Sequence, residues 1–445
     1  MREPKSIDGL RGLDGGLISF METTPDSDRR RGRLRIAILG STYPRSDDDY
    51  EVPWLRESVN RIVRRGHQVT VIAPSYCGLK SHRIDGTFVH RFRYAPARWE
   101  KLTHGEGAPN KLKKKPILKV LTLTYLLSGA WTAWRVCRKK QIDVLHVHWP
   151  FPHGLMALIP AWLNGVKVVS SCHSAEIALA AGNKLTTRLL AACLQGSAAV
   201  TANSRHTADL VKKISNVEAE VIPYGATVRI EPEASTPASE QPDVPMLLFS
   251  GRLIHRKGVQ FLLRAMPKIL AKRNVRLVVT GDGHNRTEWE ALTRELGLTG
   301  QVEFAGFVSN ERLGELFRSC AVYVHPAIYD DRGDTEGLGV VLIEALRNRK
   351  PVVASRVGGI GDVIKDERTG LLVPEKNPEA IAEAVLRILT DPVLARRLGE
   401  EGFAFATRYF DWESITDELE IVYRRVCPFR PSSPSRKVAP ESVAA

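Results

Sequence analysis

The stretch "DTEGLGVVLIEALRNRKPVVASRVGG", residues 334–359, reads as a loop, a helix over 338–348 and a strand over 351–354. Glu336 stands in the loop just before the helix, and Glu344 follows eight residues on, inside it. At 1.5 Å rise per residue the two lie up to about 12 Å apart along the axis, too far to share one proton as an acid/base pair. That span suits the two ends of an elongated ligand. Gly337 and Gly339 leave backbone amides exposed at the helix start, which receive anions well. The plainer alternative makes Glu336 a favourable charge near a helix N-terminus and Glu344 a structural carboxylate. Glu344 sits among Ile343, Ala345 and Leu346, an awkward setting for a solvated face.

Upstream, "FSGRLIHRKGVQFLL" (249–263) ends a strand at Ser250, and Gly251 permits a tight turn or a close backbone approach. Arg252 then offers a planar fork of donors, and Lys257 a compact cation at the mouth of the next helix. A fork plus a point charge at a helix N-terminus suits a diphosphate. Taken alone, the same residues also fit an ordinary basic surface loop.

Around these stretches, short apolar runs alternate with longer helical patterns. Strands read at 34–39, 68–73, 142–148, 166–171, 197–202 and 219–223, with a strand or hairpin near 86–93 and helices between them. "VRIEPEASTPASEQPDVP" (228–245) breaks the rhythm as an interdomain linker, and a second series opens at 246–250 and runs to 370–373. Alternation of this kind calls for parallel sheets covered on both faces, which bind ligands outside the carboxyl ends of their strands. The expected organisation is a leader (1–33), a first α/β domain (34–227), the linker (228–245), a second α/β domain (246–410), a final helix (411–427) and a tail (428–445). The leader and tail read as disordered, the leader carries no signal-peptide core, and Met21 is a second candidate start.

The bulk numbers narrow the partner. A net charge of +14, from 64 Lys and Arg against 50 Asp and Glu, favours an acidic partner. The basic residues are dispersed and no recognition motif for nucleic acid is present, so no nucleic-acid partner is expected. Six scattered cysteines, with no CxxC pair, argue for a reducing compartment and against a disulfide framework or a structural zinc. "HVHWPFPH" puts His146 and His148 on one face of a strand with His153 close behind, but no carboxylate or cysteine lies near in sequence. Structural histidines are therefore expected there, and no metal. Residues 111–140 place a mostly apolar helix between two basic clusters. It reads as a largely buried core helix; the alternative is a helix resting on anionic lipid through Lys111, Lys113, Lys114 and Lys115. A cytoplasmic protein, peripheral on the inner face of the membrane in the second case, is the expected localisation.

In combination these stretches resemble the retaining glycosyltransferases of family 4. The resemblance rests on Gly251-Arg252-Leu253 with Lys257-Gly258, on Glu336 and Glu344 with seven residues between, and on "KPVVASRVGG". It extends to "RRGHQVTVIAP" (64–74), "IPYGAT" (222–227) and "FDWESITDELEIVY", covering roughly residues 34–427. It implies a GT-B fold: two Rossmann-like doubly wound domains facing a cleft, with a C-terminal helix crossing back to the first. The donor nucleotide sugar then belongs on the C-terminal domain and a glycan or lipid-linked acceptor on the N-terminal one. Residue by residue, it implies that Arg252 and Lys257 grip the diphosphate beside Gly251, that Glu344 holds the ribose and that Glu336 holds a sugar hydroxyl. The amides of Gly337, Leu338, Gly339 and Val340 add contacts, and neither metal nor cofactor is expected.

His173 follows the strand at 166–171 at its carboxyl end, where family members often carry a histidine, and is expected to touch the transferred sugar. The family commonly places glycines in the first strand-to-helix loop; here Asp47, Asp48, Asp49 and Tyr50 stand instead. They read as an acceptor-facing loop, with Asp49 or a neighbour also capping the following helix and Pro53 in its first turn. The function implied is sugar transfer to an acceptor hydroxyl in polysaccharide, glycolipid or glycoconjugate biosynthesis. The alternatives are a nucleotide-sugar epimerase or phosphorylase of the same fold, or a non-catalytic nucleotide- or glycan-binding protein.

Overall fold

The computed structural model describes residues 32–49, 51–103, 118–227 and 244–428. Tyr50, the lysines at 111–115 and residues 228–243 of the linker lie outside the described residues, as do the leader before 32 and the tail after 428.

Two sheets carry the chain between Leu34 and Pro428. The first contains β1 (Arg35–Leu39), β2 (Gln68–Pro74), β3 (His82–Ile84), β4 (Thr87–Phe92), β5 (Val144–His148), β6 (Lys167–Cys172), β7 (Ala199–Ala202) and β8 (Glu220–Val221). Their spatial order is β3-β4-β2-β1-β5-β6-β7-β8. All neighbours run parallel except the β3–β4 hairpin, so of the strand or hairpin expected near 86–93 the hairpin is the one present. The helices of this half are α1 (Pro53–Arg64), α2 (Leu118–Lys140), α3 (Pro150–Asn164), α4 (Ala175–Ala181), α5 (Lys184–Gln195) and α6 (Arg205–Ser215).

The second sheet contains β9 (Met246–Ser250), β10 (Arg276–Thr280), β11 (Val302–Gly306), β12 (Val322–His325), β13 (Val352–Ser355) and β14 (Leu371–Val373), in the order β11-β10-β9-β12-β13-β14 and parallel throughout. Its helices are α7 (Val259–Leu270), α8 (Arg286–Glu295), α9 (Asn310–Ser319), α10 (Val340–Arg347), α11 (Ile360–Val363), α12 (Pro378–Thr390) and α13 (Pro392–Tyr409). Strand order reverses between β1 and β5 in the first sheet and between β9 and β12 in the second. Such switch points open crevices at the strands' carboxyl ends. The loops after β1, β5, β9 and β12 therefore build whatever this fold binds.

A final helix, α14 (Trp412–Val426), returns to the first half. Its Trp412, Ile415, Leu419, Val422 and Tyr423 pack with Leu55, Val59 and Ile62 of α1 and with Ile36 and Ile38 of β1. Asp411 caps it, accepting from the amides of Glu413 and Ser414 at 3.0 Å each. Arg61 of α1 and Arg65 just past its end add ion pairs to Glu413 and Asp417.

Helix α2 departs from the expectation of a largely buried helix. Tyr125, Ala133, Val136 and Cys137 do pack on β1 and β5 in the core. The opposite stripe, Leu123, Leu127 and Trp131, is 61, 61 and 59% exposed. Both faces are apolar, so composition could not reveal that one of them is bare.

Candidate active site

The loop after β9 turns at Gly251 and passes Arg252 before a short 3₁₀ turn over His255–Lys257. Lys257 is buried and donates to Glu336 Oε2. His325, the last residue of β12, lies with Nε2 3.1 Å from the same oxygen, and Arg256 Nη1 is 3.9 Å away. Burial works against charge on Glu336, yet Lys257, His325 and Arg256 together hold its carboxyl well below the usual carboxylate range. Burial lowers the Lys257 ammonium, with Glu336 opposing that shift. Arg252 lies deep in the cleft with part of its side chain open to solvent; burial and then the neighbouring Arg256 lower its guanidinium.

The opening stretch owes its shape to the turn that ends it. Gly358 has φ 53°, and a Cβ there would stand 2.2 Å from the Glu336 carbonyl. That same carbonyl accepts from the Gly359 amide at 2.9 Å. Only residues without a side chain let the "RVGG" turn lie against the Glu336 loop. Gly339, at φ 85°, starts α10 in the left-handed region, so the helix begins at Val340 rather than 338. Glu344 is buried on α10, and its Oε1 accepts from Thr227 Oγ1 at 2.9 Å and from the Thr227 amide at 3.3 Å.

Across the cleft, His173 caps the carboxyl end of β6, as its place in the sequence implied. Its ring is engaged on both sides: Nδ1 lies 2.6 Å from the Tyr224 hydroxyl and Nε2 3.2 Å from His148 Nδ1. The pair is satisfied when Tyr224 donates to Nδ1 and Nε2–H donates to His148. Trp54 stacks on Tyr224 with ring centroids 4.1 Å apart and approaches His173 at 5.0 Å. The His173 carbonyl faces Gly337 so closely that a Cβ there would come within 2.6 Å, which brings the two halves of the site together.

"IPYGAT" is the junction of these parts. Tyr224 orients His173, Thr227 holds Glu344, and the Ala226 carbonyl accepts from Trp412 Nε1 of α14 at 2.8 Å. Tyr224, His325 and Arg256 were not singled out from sequence. His325 and its strand end at the second switch point, which was the signal available.

The histidines of "HVHWPFPH" have structural partners. His146 reaches the Tyr423 hydroxyl at 2.7 Å and Ser171 Oγ at 2.6 Å, and His153 reaches the Tyr125 hydroxyl and the Trp149 carbonyl, each at 2.8 Å. Burial pushes His146 and His173 down to about 3 and His153 to about 4, and takes His148 well below its ordinary value. These rings stay neutral in the folded chain, whereas unfolded ones protonate below about 6.5. A depressed folded pKa contributes stability present above the unfolded value and lost as pH falls toward the folded one. Each ring can withdraw about 2 kcal/mol between pH 7 and 5. Glu176 opposes them: burial raises its carboxyl to about 7, so its contribution is greatest at low pH and is lost as pH rises through about 7. Four imidazoles outweigh one carboxyl. The urea midpoint should therefore fall clearly from pH 7 to pH 5; equal midpoints would contradict the buried neutral cluster.

The acidic loop after β1 does not cap α1. The N-cap is Val52, at φ 47° and without a side-chain bond, although Pro53 does occupy the first turn. Asp49 instead organises its own loop, accepting from the Arg45 amide at 2.8 Å and the Glu51 amide at 3.2 Å, and pairing with Arg45 Nε at 2.6 Å. Asp47 faces Arg56 at 3.8 Å. Asp48 and Asp49 line a cavity of about 1130 Å³ that also reaches Arg252 and Glu176, so part of the loop does face the cleft.

Comparison with known proteins places this geometry. Residues 54–228 match the family described as Glycosyltransferase Family 4, and residues 232–405 match Glycosyl transferases group 1. An uncharacterized glycosyltransferase of Methanocaldococcus jannaschii is 30% identical over 380 residues, covering 82% of this chain and 91% of that protein. Among solved structures, sucrose-phosphate synthase from Thermosynechococcus elongatus aligns with TM-score 0.71 at 22% identity, over 88% of this chain and 99% of that one. Anabaena HepE, solved in complex with UDP-glucose, aligns with TM-score 0.66 at 15% identity, over 88% of this chain and 100% of that one. Both structures share the two-sheet fold. The chain belongs to the family 4 glycosyltransferases and has the GT-B fold.

Proposed function

We propose that the chain is a retaining glycosyltransferase that moves a hexosyl group from a nucleoside-diphosphate sugar to an acceptor hydroxyl, in polysaccharide, glycolipid or glycoconjugate biosynthesis. The observation that carries this reading is the gathering of Arg252, Arg256 and Lys257 on one loop at the second switch point, with Arg252 lining the cavity. Positive charge there meets the diphosphate and stabilises it as it departs, without a metal being invoked. That Anabaena HepE, of the same fold, is solved with UDP-glucose supports a donor of this class.

In this reading Arg252 and Lys257 grip the diphosphate beside Gly251, and the amides from Gly337 to Val340 contact phosphate and sugar. Glu344 exchanges its Thr227 contact for a ribose hydroxyl. Glu336 holds Lys257 and His325 in place and offers its carboxylate to a sugar hydroxyl. His173, fixed by Tyr224 and His148, presents its ring edge and carbonyl toward the transferred sugar. Asp48 and Asp49 meet acceptor hydroxyls. No side chain is assigned as a nucleophile, so attack comes from the face the diphosphate leaves. The test is nucleotide release from UDP- and GDP-sugars: release should rise with acceptor, whereas isomer formation without release would mean an epimerase.

Peripheral contact of residues 111–140 with anionic membrane belongs to the same reading. The bare stripe of Leu123, Leu127 and Trp131, and the basic end Arg138, Lys139 and Lys140, support it. No described helix is long and apolar enough to cross a membrane. Co-sedimentation with vesicles that ignores anionic lipid content would remove this part.

A further inference from the structure

The cavity beside Arg252 is two-sided in chemistry. Its charged members are Arg45, Asp48, Asp49 and Glu51 from the loop after β1, with Glu176 and Arg252. Its other wall is built by helices: Leu126 from α2, Phe151 and Leu155 from α3, Leu179 from α4 and Leu189 from α5. The ring polar atoms of Tyr125 and His153 on that side are already used, since the two bond each other and His153 also holds the Trp149 carbonyl. A free sugar lying against the leucines of that wall would leave the hydroxyls facing them without partners, which disfavours it.

A second observation concerns Glu176. It is buried, its Oε1 holds the His173 amide at 2.7 Å, and its Oε2 has no hydrogen-bond partner. The thiol of Cys172, a weak donor, lies beside the carboxyl. A buried acceptor oxygen in a cavity wall asks for a hydroxyl from whatever fills the cavity. The apolar wall also reaches the surface: α2 carries Leu126 inside the cavity and Leu123 and Leu127 on its bare outer stripe, while Leu179 of α4 is itself 38% exposed.

We infer that the acceptor is amphiphilic, with a hydroxyl-bearing head between Glu176 and Arg252 and an apolar chain lying along the α2–α3 wall. This names the acceptor class of the glycosyl transfer proposed above and rests on that reading. The cavity selects a lipid-linked acceptor over a free glycan, because the leucine-rich side of its helical wall is rewarded by apolar contact.

The probes are methyl, hexyl and octyl glucoside, titrated below their micelle thresholds into the full chain and read by tryptophan fluorescence, since Trp54 and Trp149 line the cavity. Affinity should rise about tenfold for every two methylenes added. Leu126→Asn and Leu155→Asn should flatten that dependence and leave UDP or GDP binding unchanged. Leu127→Asn, on the outer stripe, should keep it. Equal binding of methyl and octyl glucoside would overturn the inference, as would loss of the dependence in the Leu127 variant, which would put the alkyl chain on the outer surface. Sugar transfer without chain-length dependence sinks the inference alone. Chain-length dependence with no nucleotide-sugar turnover sinks the transferase reading instead.

Discussion

Replacing Arg252 by alanine should lower kcat/KM for sugar transfer by about 10²- to 10³-fold while leaving the fold intact. As the bond to the diphosphate breaks, negative charge grows on the leaving group, and a preorganised cation aimed at it is worth more in the transition state than in the ground state. Arg252 stands on the loop after β9 and lines the cavity, with part of its side chain open to solvent. It stands on a loop outside the packed cores, so the stability change should stay near about 1 kcal/mol. Arg252→Lys keeps a charge and loses the fork, and should fall between wild type and alanine. Steady-state nucleotide release reads the rate and urea unfolding reads the fold. An alanine variant that turns over like the wild type would remove Arg252 from the mechanism.

Lys257→Ala should behave differently, because its partner is buried with it. Glu336 keeps His325 and Arg256 but loses its main donor, leaving a carboxylate whose burial is poorly compensated. Breaking one side of such a pair costs about 3 kcal/mol, or roughly 6–12 °C in Tm for a unit of this size. Adding Glu336→Gln removes the stranded charge, so the double variant should recover most of the lost stability and still fail to transfer sugar. The two single losses therefore should not add. Additive Tm losses would show that the pair is not coupled, and a thermally silent Lys257→Ala would show that the ammonium carries no structural load.

The contrast between these two basic residues was not available from sequence, where both read as cations near a helix start. Burial separates them: one faces the cavity and the other faces Glu336. The alternation of strands and helices was legible because parallel strands buried on both faces write continuous apolar runs. The Glu336 loop was legible through its glycines, since "VGG" and "EGLG" mark backbone in close approach. His325 and Tyr224 escaped notice because a lone histidine or tyrosine at or after a strand end carries no local pattern; the partner, Glu336 for one and His173 for the other, stands on a separate loop. Helix α2 hid its bare face for a related reason. A helix apolar on both sides has the composition of a buried one, and only the missing neighbour reveals the difference. The aspartate loop was read as a cap from residue type, but Arg45 competes for Asp49 and wins it.

The central claim, retaining transfer from an α-linked nucleotide sugar, is tested most directly by the anomeric configuration of the product. Proton NMR of the reaction of the full chain with UDP- or GDP-α-hexoses and octyl glucoside should show a new α-linked sugar appearing together with free nucleoside diphosphate. A β-linked product would contradict attack from the leaving-group face and with it the roles given to Arg252 and Lys257.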